Sequence, residues 1–236
     1  MIAQGGQSVY GAALGILMLE ARFPRIPGDM GNALTWPFPV HYKIVTGASP
    51  DLVVRQGAPG LLDAFVTAGQ ELVAMGVSGI TTNCGFLSLF QAPLKEALGV
   101  PVAASSLMQV PMVEALLLPG KTAGILTISA ATLTAAHLQA AGVRTDITIV
   151  GTETGTEFTD AILGDRLTLD VDAARADLLA AAEALLDQDP SVGAIVLECT
   201  NMCPYAADIR EFTNLPVFSI YDFVSWFHSG LCPRRF

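Results

Sequence analysis

Gly79-Ile80-Thr81-Thr82-Asn83-Cys84-Gly85-Phe86 is the stretch from which the fold is read, because the chain carries a second version of it. Shifting the sequence by 115 positions sets Cys84 on Cys199. With no gap, the same shift sets Val77 on Val192, Ile80 on Ile195, Glu96 on Glu211, Pro101 on Pro216 and Val102 on Val217. Conservative matches lie between them: Phe90 with Tyr205, Leu94 with Ile209, Lys95 with Arg210, Val100 with Leu215. A unit that recurs with a cysteine at the same place predicts two half-domains, each offering a thiol to one shared cleft.

Outward from the repeat, the chain alternates strands and helices. Leu14 to Leu19 is a short apolar run, expected as a strand buried on both faces. The Pro- and Gly-rich stretch Glu20 to Pro39 is then a long loop at that strand's carboxyl end, where open α/β sheets place ligands. Asp29 and Asn32 within it are candidates for orienting a substrate. Val40 to Val45 reads as the next strand, with Thr46 in the following loop as a further candidate. Apolar residues at helical spacing predict a helix over about 59–75, then a strand over 79–82, a helix over 87–98, a strand over 101–104 and a helix over 107–118.

The pattern restarts at Thr122, where Gly124, Ile125 and Leu126 match Gly15, Ile16 and Leu17 at an offset of 109. A helix near 131–141, a strand over 147–150, a helix over 171–187, a strand over 193–197, a helix near 205–212 and a strand over 216–219 complete the second unit. The tail from Tyr221 is expected to begin as a helix and to pack back on the N-terminal half. The expected fold is α/β: two similar Rossmann-like half-domains with parallel sheets, related by a pseudo-twofold repeat, with the active site in the cleft between them. The N-terminal half would comprise 1–118 plus 218–236 and the C-terminal half 119–217.

Composition narrows the function classes. The 236 residues are 52% hydrophobic and 14% charged, which argues against disorder and for a homo-oligomer, a dimer being favoured. A net charge of −10 disfavours a nucleic-acid partner. No apolar run is long enough for a membrane span and no signal peptide is read at the N-terminus. Four cysteines without a disulfide framework point to a reducing cytoplasm.

Each repeated cysteine sits where a strand ends and a helix begins. A helix N-terminus favours an anionic group, so both thiols are expected below the ordinary pKa of ~8.5. Two thiols facing each other could serve as base on one side of a carbon and acid on the other. Free cysteine often only fills space in a core, but the register of Cys84 with Cys199 favours chemistry; Cys203 and Cys232 lack that support and are expected to be inert. No Cys-x-x-Cys pair occurs, and His41, His137 and His228 are scattered, so no metal is expected. Neither a dinucleotide fingerprint after the Gly15 strand nor a Gly-x-Ser-x-Gly elbow is found, and no cofactor is expected.

Asn83-Cys84-Gly85 and Cys199-Thr200-Asn201, each after a strand, together with the half-domain repeat, resemble the aspartate/glutamate racemase superfamily, and the likeness covers nearly the whole chain. The resemblance implies that Cys84 and Cys199 are the acid and base of cofactor-independent chemistry. It also implies that the substrate carboxylate is bound by the Gly85 backbone amide and the Thr200 and Asn201 side chains; Asn83 and Phe86 beside them are further substrate-binding candidates, Phe86 as an apolar wall. Two positions depart from the amino-acid racemases. Gly85-Phe86 stands where they usually have Asn-Thr, and Glu198 stands where glutamate racemases tend to have Gly. Arylmalonate decarboxylases keep only the second cysteine, and Cys199-Thr200-Asn201-Met202 looks closer to the maleate isomerases. The expected function is a racemase or epimerase acting on a small carboxylate or amino-acid derivative. The alternatives are a maleate-type cis–trans isomerase with a covalent cysteine adduct and a non-catalytic, two-lobed carboxylate-binding protein.

Overall fold

The computed structural model describes residue 2 and residues 5–235. The N-terminal half runs β1 (Leu14–Leu19), β2 (Val40–Val45), α1 (Pro50–Val54), α2 (Leu62–Ala74), β3 (Gly79–Thr82), α3 (Gln91–Leu98), β4 (Val102–Ala103) and α4 (Val110–Leu116). The second half runs β5 (Thr122–Thr127), α5 (Ala135–Ala140), β6 (Thr148–Gly151), α6 (Phe158–Leu163), α7 (Val171–Gln188), β7 (Val192–Leu197), α8 (Ala206–Thr213) and β8 (Val217–Phe218), and α9 (Ile220–Leu231) closes the chain. The strands form two four-stranded parallel sheets, ordered β2-β1-β3-β4 and β6-β5-β7-β8. The fold is α/β with two similar halves, as the repeat predicts.

The duplication extends to details of packing. Gly15 lies under Leu72 of α2 and Gly124 under Leu185 of α7; in each case an added Cβ would come within 2.9 Å of the leucine, so glycine lets the helix approach the central strand. Past each cysteine a 3-10 turn precedes the α-helix, Gly85–Phe90 before α3 and Thr200–Tyr205 before α8. Those helices end on left-handed caps at Gly99 (φ 65°) and Asn214 (φ 55°), again 115 positions apart. Glycine and asparagine are the residues that most readily accept that conformation.

Strand alternation distributes the core. Leu17 and Leu19 of β1 face one layer with Phe65 and Leu72, whereas Leu14, Ile16 and Met18 face the other with Ile220, Phe223 and Val224 of α9. Phe227 and Leu231 of α9 pack over Gly79 of β3. Helices α1 and α6 are not legible in the sequence, because five and six residues are too few to show a period. Pro50 at the first turn and the Ser49 cap start α1. Among the described residues no helix is long and apolar enough to cross a membrane.

Candidate active site

In each sheet the strand order reverses beside the first strand, between β1 and β3 and between β5 and β7. The crevice at the carboxyl ends of such strands is where open α/β sheets bind ligands. Here the two crevices face each other around one small cavity. Leu19 leaves β1, Asn83 and Cys84 leave β3, Ile128 leaves β5, and Glu198 and Cys199 leave β7, all lining it. The loop after β1 adds Phe23 and Arg25, α1 adds Pro50 and Val54, α6 adds Ile162 and Leu163, and Gly85, Phe86 and Asn201 complete the wall.

The free volume is about 20 Å³, room for about one water molecule. A molecule larger than water fits only if the walls part. Asp165, just past α6, accepts hydrogen bonds from the backbone amides of Arg22 (2.5 Å) and Phe23 (3.1 Å) and from the Arg22 guanidinium (3.3 Å). This clasp ties the wall carrying Phe23 to the wall carrying Leu163. On the opposite side Ser88 donates to the carbonyl of His137 at 3.0 Å, and the Phe86 ring meets the His137 imidazole edge-on.

Cys84 and Cys199 are free, buried thiols on the same cavity. Their electrostatics correct the sequence expectation. Backbone amides do face the sulfurs, Phe86 and Leu87 at Cys84 and Asn201 at Cys199. Burial nevertheless drives both pKa values above the ordinary thiol range, and the Glu198 carboxylate adds to the rise. The magnitudes explain the outcome: a helix terminus stabilises an anion by about 1 kcal/mol, whereas removing a charge from water costs several.

Glu198 is fully buried, and its own pKa is pushed up to about 7 by burial. Its Oε2 accepts from the Thr127 hydroxyl at 2.7 Å and the Ile128 amide also faces the carboxylate, but Oε1 has no hydrogen-bond partner. The strand ends at Leu197, so alternation does not carry Glu198 to the far face of the sheet.

The other sequence candidates divide into two groups. Asn83, Gly85, Phe86 and Asn201 line the cavity with the cysteines. Thr200 is buried behind it, donating to the Asn83 carbonyl at 2.6 Å, and so has its hydroxyl already committed. Asp29 is buried but does not line the cavity: it accepts from Arg25 (2.9 Å), the Gly31 amide (2.7 Å) and the Asn201 side chain (2.6 Å). Asn32 caps a short turn through the Leu34 amide and donates to the Arg25 carbonyl. Thr46 is exposed on a separate surface hollow beside α2, away from the cysteines. Sequence reasoning missed Arg25 as a lining residue and treated Glu198 only as a neighbour of the thiol. A lone acid at the end of an apolar strand was the available signal for Glu198; nothing local marked Ile162 or Leu163.

No protein-family model matches the chain. It is similar to a dimethylsulfoniopropionate lyase of Durusdinium sp. clade D, 28% identical over 229 residues that cover 93% of this chain and 75% of that protein. It is also similar to dimethylsulfoniopropionate lyase 6 of Emiliania huxleyi (strain CCMP1516), 31% identical over 217 residues, 87% of this chain but only 56% of that protein. Among solved structures it superposes on an allantoin racemase from Klebsiella pneumoniae with a TM-score of 0.63 at 16% identity, covering 92% of this chain and 87% of that one. Unliganded arylmalonate decarboxylase gives 0.57 at 15% identity, covering 94% and 93%. A glutamate racemase from Francisella tularensis subsp. tularensis SCHU S4 gives 0.52 at 13% identity, covering 96% and 85%. At these identities the likeness is one of fold: the chain shares its two-sheet architecture with these racemases and the decarboxylase.

Proposed function

We propose that this chain, built on the racemase-superfamily fold, is a cofactor-independent enzyme that uses Cys84 and Cys199 to move the α-proton of a small carboxylate. We further propose that its reaction is the elimination of dimethyl sulfide from dimethylsulfoniopropionate. The observation that carries the reading is the opening of both repeated thiols onto one enclosed cavity. The lyase outcome is supported by the relatives, which at 28–31% identity bear that activity in their names, whereas the racemases share only the fold.

In the proposed step one cysteine, as thiolate, takes a proton from the carbon next to the substrate carboxylate. The C–H electron pair passes into an enediolate, then forms the carbon–carbon double bond as the bond to sulfur breaks. Dimethyl sulfide leaves with the electron pair of the broken carbon–sulfur bond, acrylate remains, and the proton rests on the cysteine until it is lost to solvent. A thiol whose pKa is raised is the stronger base once ionised. The substrate's own positive charge, entering a cavity walled by Glu198 and the two thiols, favours that ionisation. Arg25 has only one guanidinium nitrogen engaged with Asp29 and is the candidate to receive the substrate carboxylate, because Thr200 and Asn201 are already paired.

A second reading, racemisation, is favoured by the presence of two thiols in register, since the opposite thiol could return the proton. The test is incubation with dimethylsulfoniopropionate in deuterated water, beside a panel of chiral acids, amino acids and hydantoins. Equimolar dimethyl sulfide and acrylate support the lyase. Deuterium at the α-carbon of a panel member without elimination supports the racemase. Absence of both in an intact, folded protein removes the catalytic reading.

A further inference from the structure

Among the described residues, one side chain of the cavity wall carries a buried oxygen with no hydrogen-bond partner. Glu198 Oε1 is buried, lines the cavity wall with its residue, and accepts no hydrogen bond, while Oε2 is held by Thr127. The repeat supplies a comparison within the same chain. The residue before the first cysteine is Asn83, and its side-chain oxygen is fully used by the Leu19 amide at 2.7 Å. Its counterpart before the second cysteine is Glu198, facing the Ile128 amide as Asn83 faces Leu19. Each of these side chains turns toward the backbone amide at the end of the central strand, and the carboxylate carries one acceptor oxygen more than the Asn83 side chain does.

Gly85 makes room for that second oxygen. A Cβ at position 85 would overlap Glu198 Oε1 and come within 2.5 Å of the Glu198 carbonyl oxygen. Any side chain at 85 therefore displaces the carboxylate. The two departures from the amino-acid racemase pattern, glycine after the first cysteine and glutamate before the second, occupy the same space and make a single complementary exchange.

We propose that Glu198, seated against Gly85, is the specificity-determining group of this site and binds the positively charged head of an onium carboxylate, a sulfonium or quaternary ammonium. The surroundings suit such a head: the Phe23 and Phe86 rings, Ile128 and Leu163 offer an apolar wall that takes its methyl groups without hydrogen bonds, and an onium donates none. A primary ammonium head carries three N–H donors, and beside the one free Glu198 oxygen these four side chains offer it no acceptor. The inference rests on the reading that a small onium carboxylate occupies the cavity, and adds which group of the site recognises its positively charged head.

The test is a binding measurement that does not depend on turnover. Calorimetric titration of wild type compares 3-(trimethylammonio)propanoate with its neutral isostere 4,4-dimethylpentanoate. Wild type is expected to prefer the cation by about tenfold or more. Glu198→Gln, which keeps shape and the Thr127 contact, is expected to bring the two affinities within about twofold. Gly85→Ala is expected to do the same by displacing the carboxylate; if it does not fold, Glu198→Gln decides alone. A wild type that binds both ligands equally, or binds neither, overturns the proposal, as does a Glu198→Gln protein that keeps the preference. Cysteine variants separate the two claims: inactive Cys84→Ser and Cys199→Ser proteins that retain the cation preference leave both standing. Active ones sink the thiol chemistry without touching Glu198.

Discussion

The side-chain amide of Asn201 donates to the carboxylate of Asp29 at 2.6 Å, joining two residues 172 positions apart. Asp29 holds Arg25 with its other oxygen, and the oxygen of Asn201 faces the Cys199 thiol at 3.5 Å. One buried acid outside the cavity thus aims a cation of the N-terminal half and an amide of the C-terminal half at the same space. Asp29→Asn keeps the shape and removes the charge. It is expected to lower stability by about 3 kcal/mol, because the Arg25 side chain, only 14% exposed, loses its charged partner. Urea unfolding measures this, and turnover should fall about tenfold or more with Arg25 and Asn201 loosened.

Both cavity thiols should resist alkylation in the folded protein. Iodoacetamide at pH 7 is expected to label the exposed Cys232 first, then Cys84 and Cys199 only slowly, with all labelling fast in urea. Mass spectrometry of timed samples reads the order. Slow labelling is then a property of the closed site and does not argue against chemistry. Replacing either cavity cysteine by Ser is the functional counterpart and is expected to lower elimination by a factor of about 100 or more.

Glu198 should make the protein less stable as pH rises. Its folded pKa of about 7 exceeds the ordinary glutamate value of 4.5, so the native state binds more protons than the unfolded chain between those limits. Stability contributed by this group falls from pH 4.5 and levels off above about pH 7, for a total of about 3 kcal/mol. Glu198→Gln cannot titrate. Its stability relative to wild type is expected to rise across that window and then stay flat, as measured by denaturant midpoints at pH 5, 6, 7 and 8.

The Asp165 clasp should govern access to the cavity. Asp165 has φ 50°, a left-handed conformation that glycine accepts without strain. Asp165→Gly therefore removes the hydrogen bonds to Arg22 and Phe23 while sparing the backbone. The Arg22 and Phe23 amides are expected to exchange hydrogen about tenfold faster, and ligand association to accelerate with little change in global stability. Unchanged exchange at those amides would place the gate elsewhere.

What the sequence determined by itself was the doubled architecture. Repetition of apolar strands, of Gly15 and Gly124 under their helices, and of Cys84 and Cys199 at strand ends is local information, set by spacing and side-chain size. It was enough to predict two parallel sheets and a thiol from each. Asn83, Gly85, Phe86 and Asn201 were legible for the same reason, because they adjoin the cysteines in the chain. Tertiary structure alone decided the electrostatics. Helix starts argued for acidic thiols, but burial depends on what the other half of the molecule places opposite, and desolvation outweighs the helix terminus. Tertiary structure also moved Asp29 behind the site, left Thr46 outside it, and brought in Arg25 and Leu163 from elements with no periodic signal. Most of all it set Glu198 against Gly85, a contact between positions 113 apart that no local pattern encodes, because it exists only where the two halves of the fold meet.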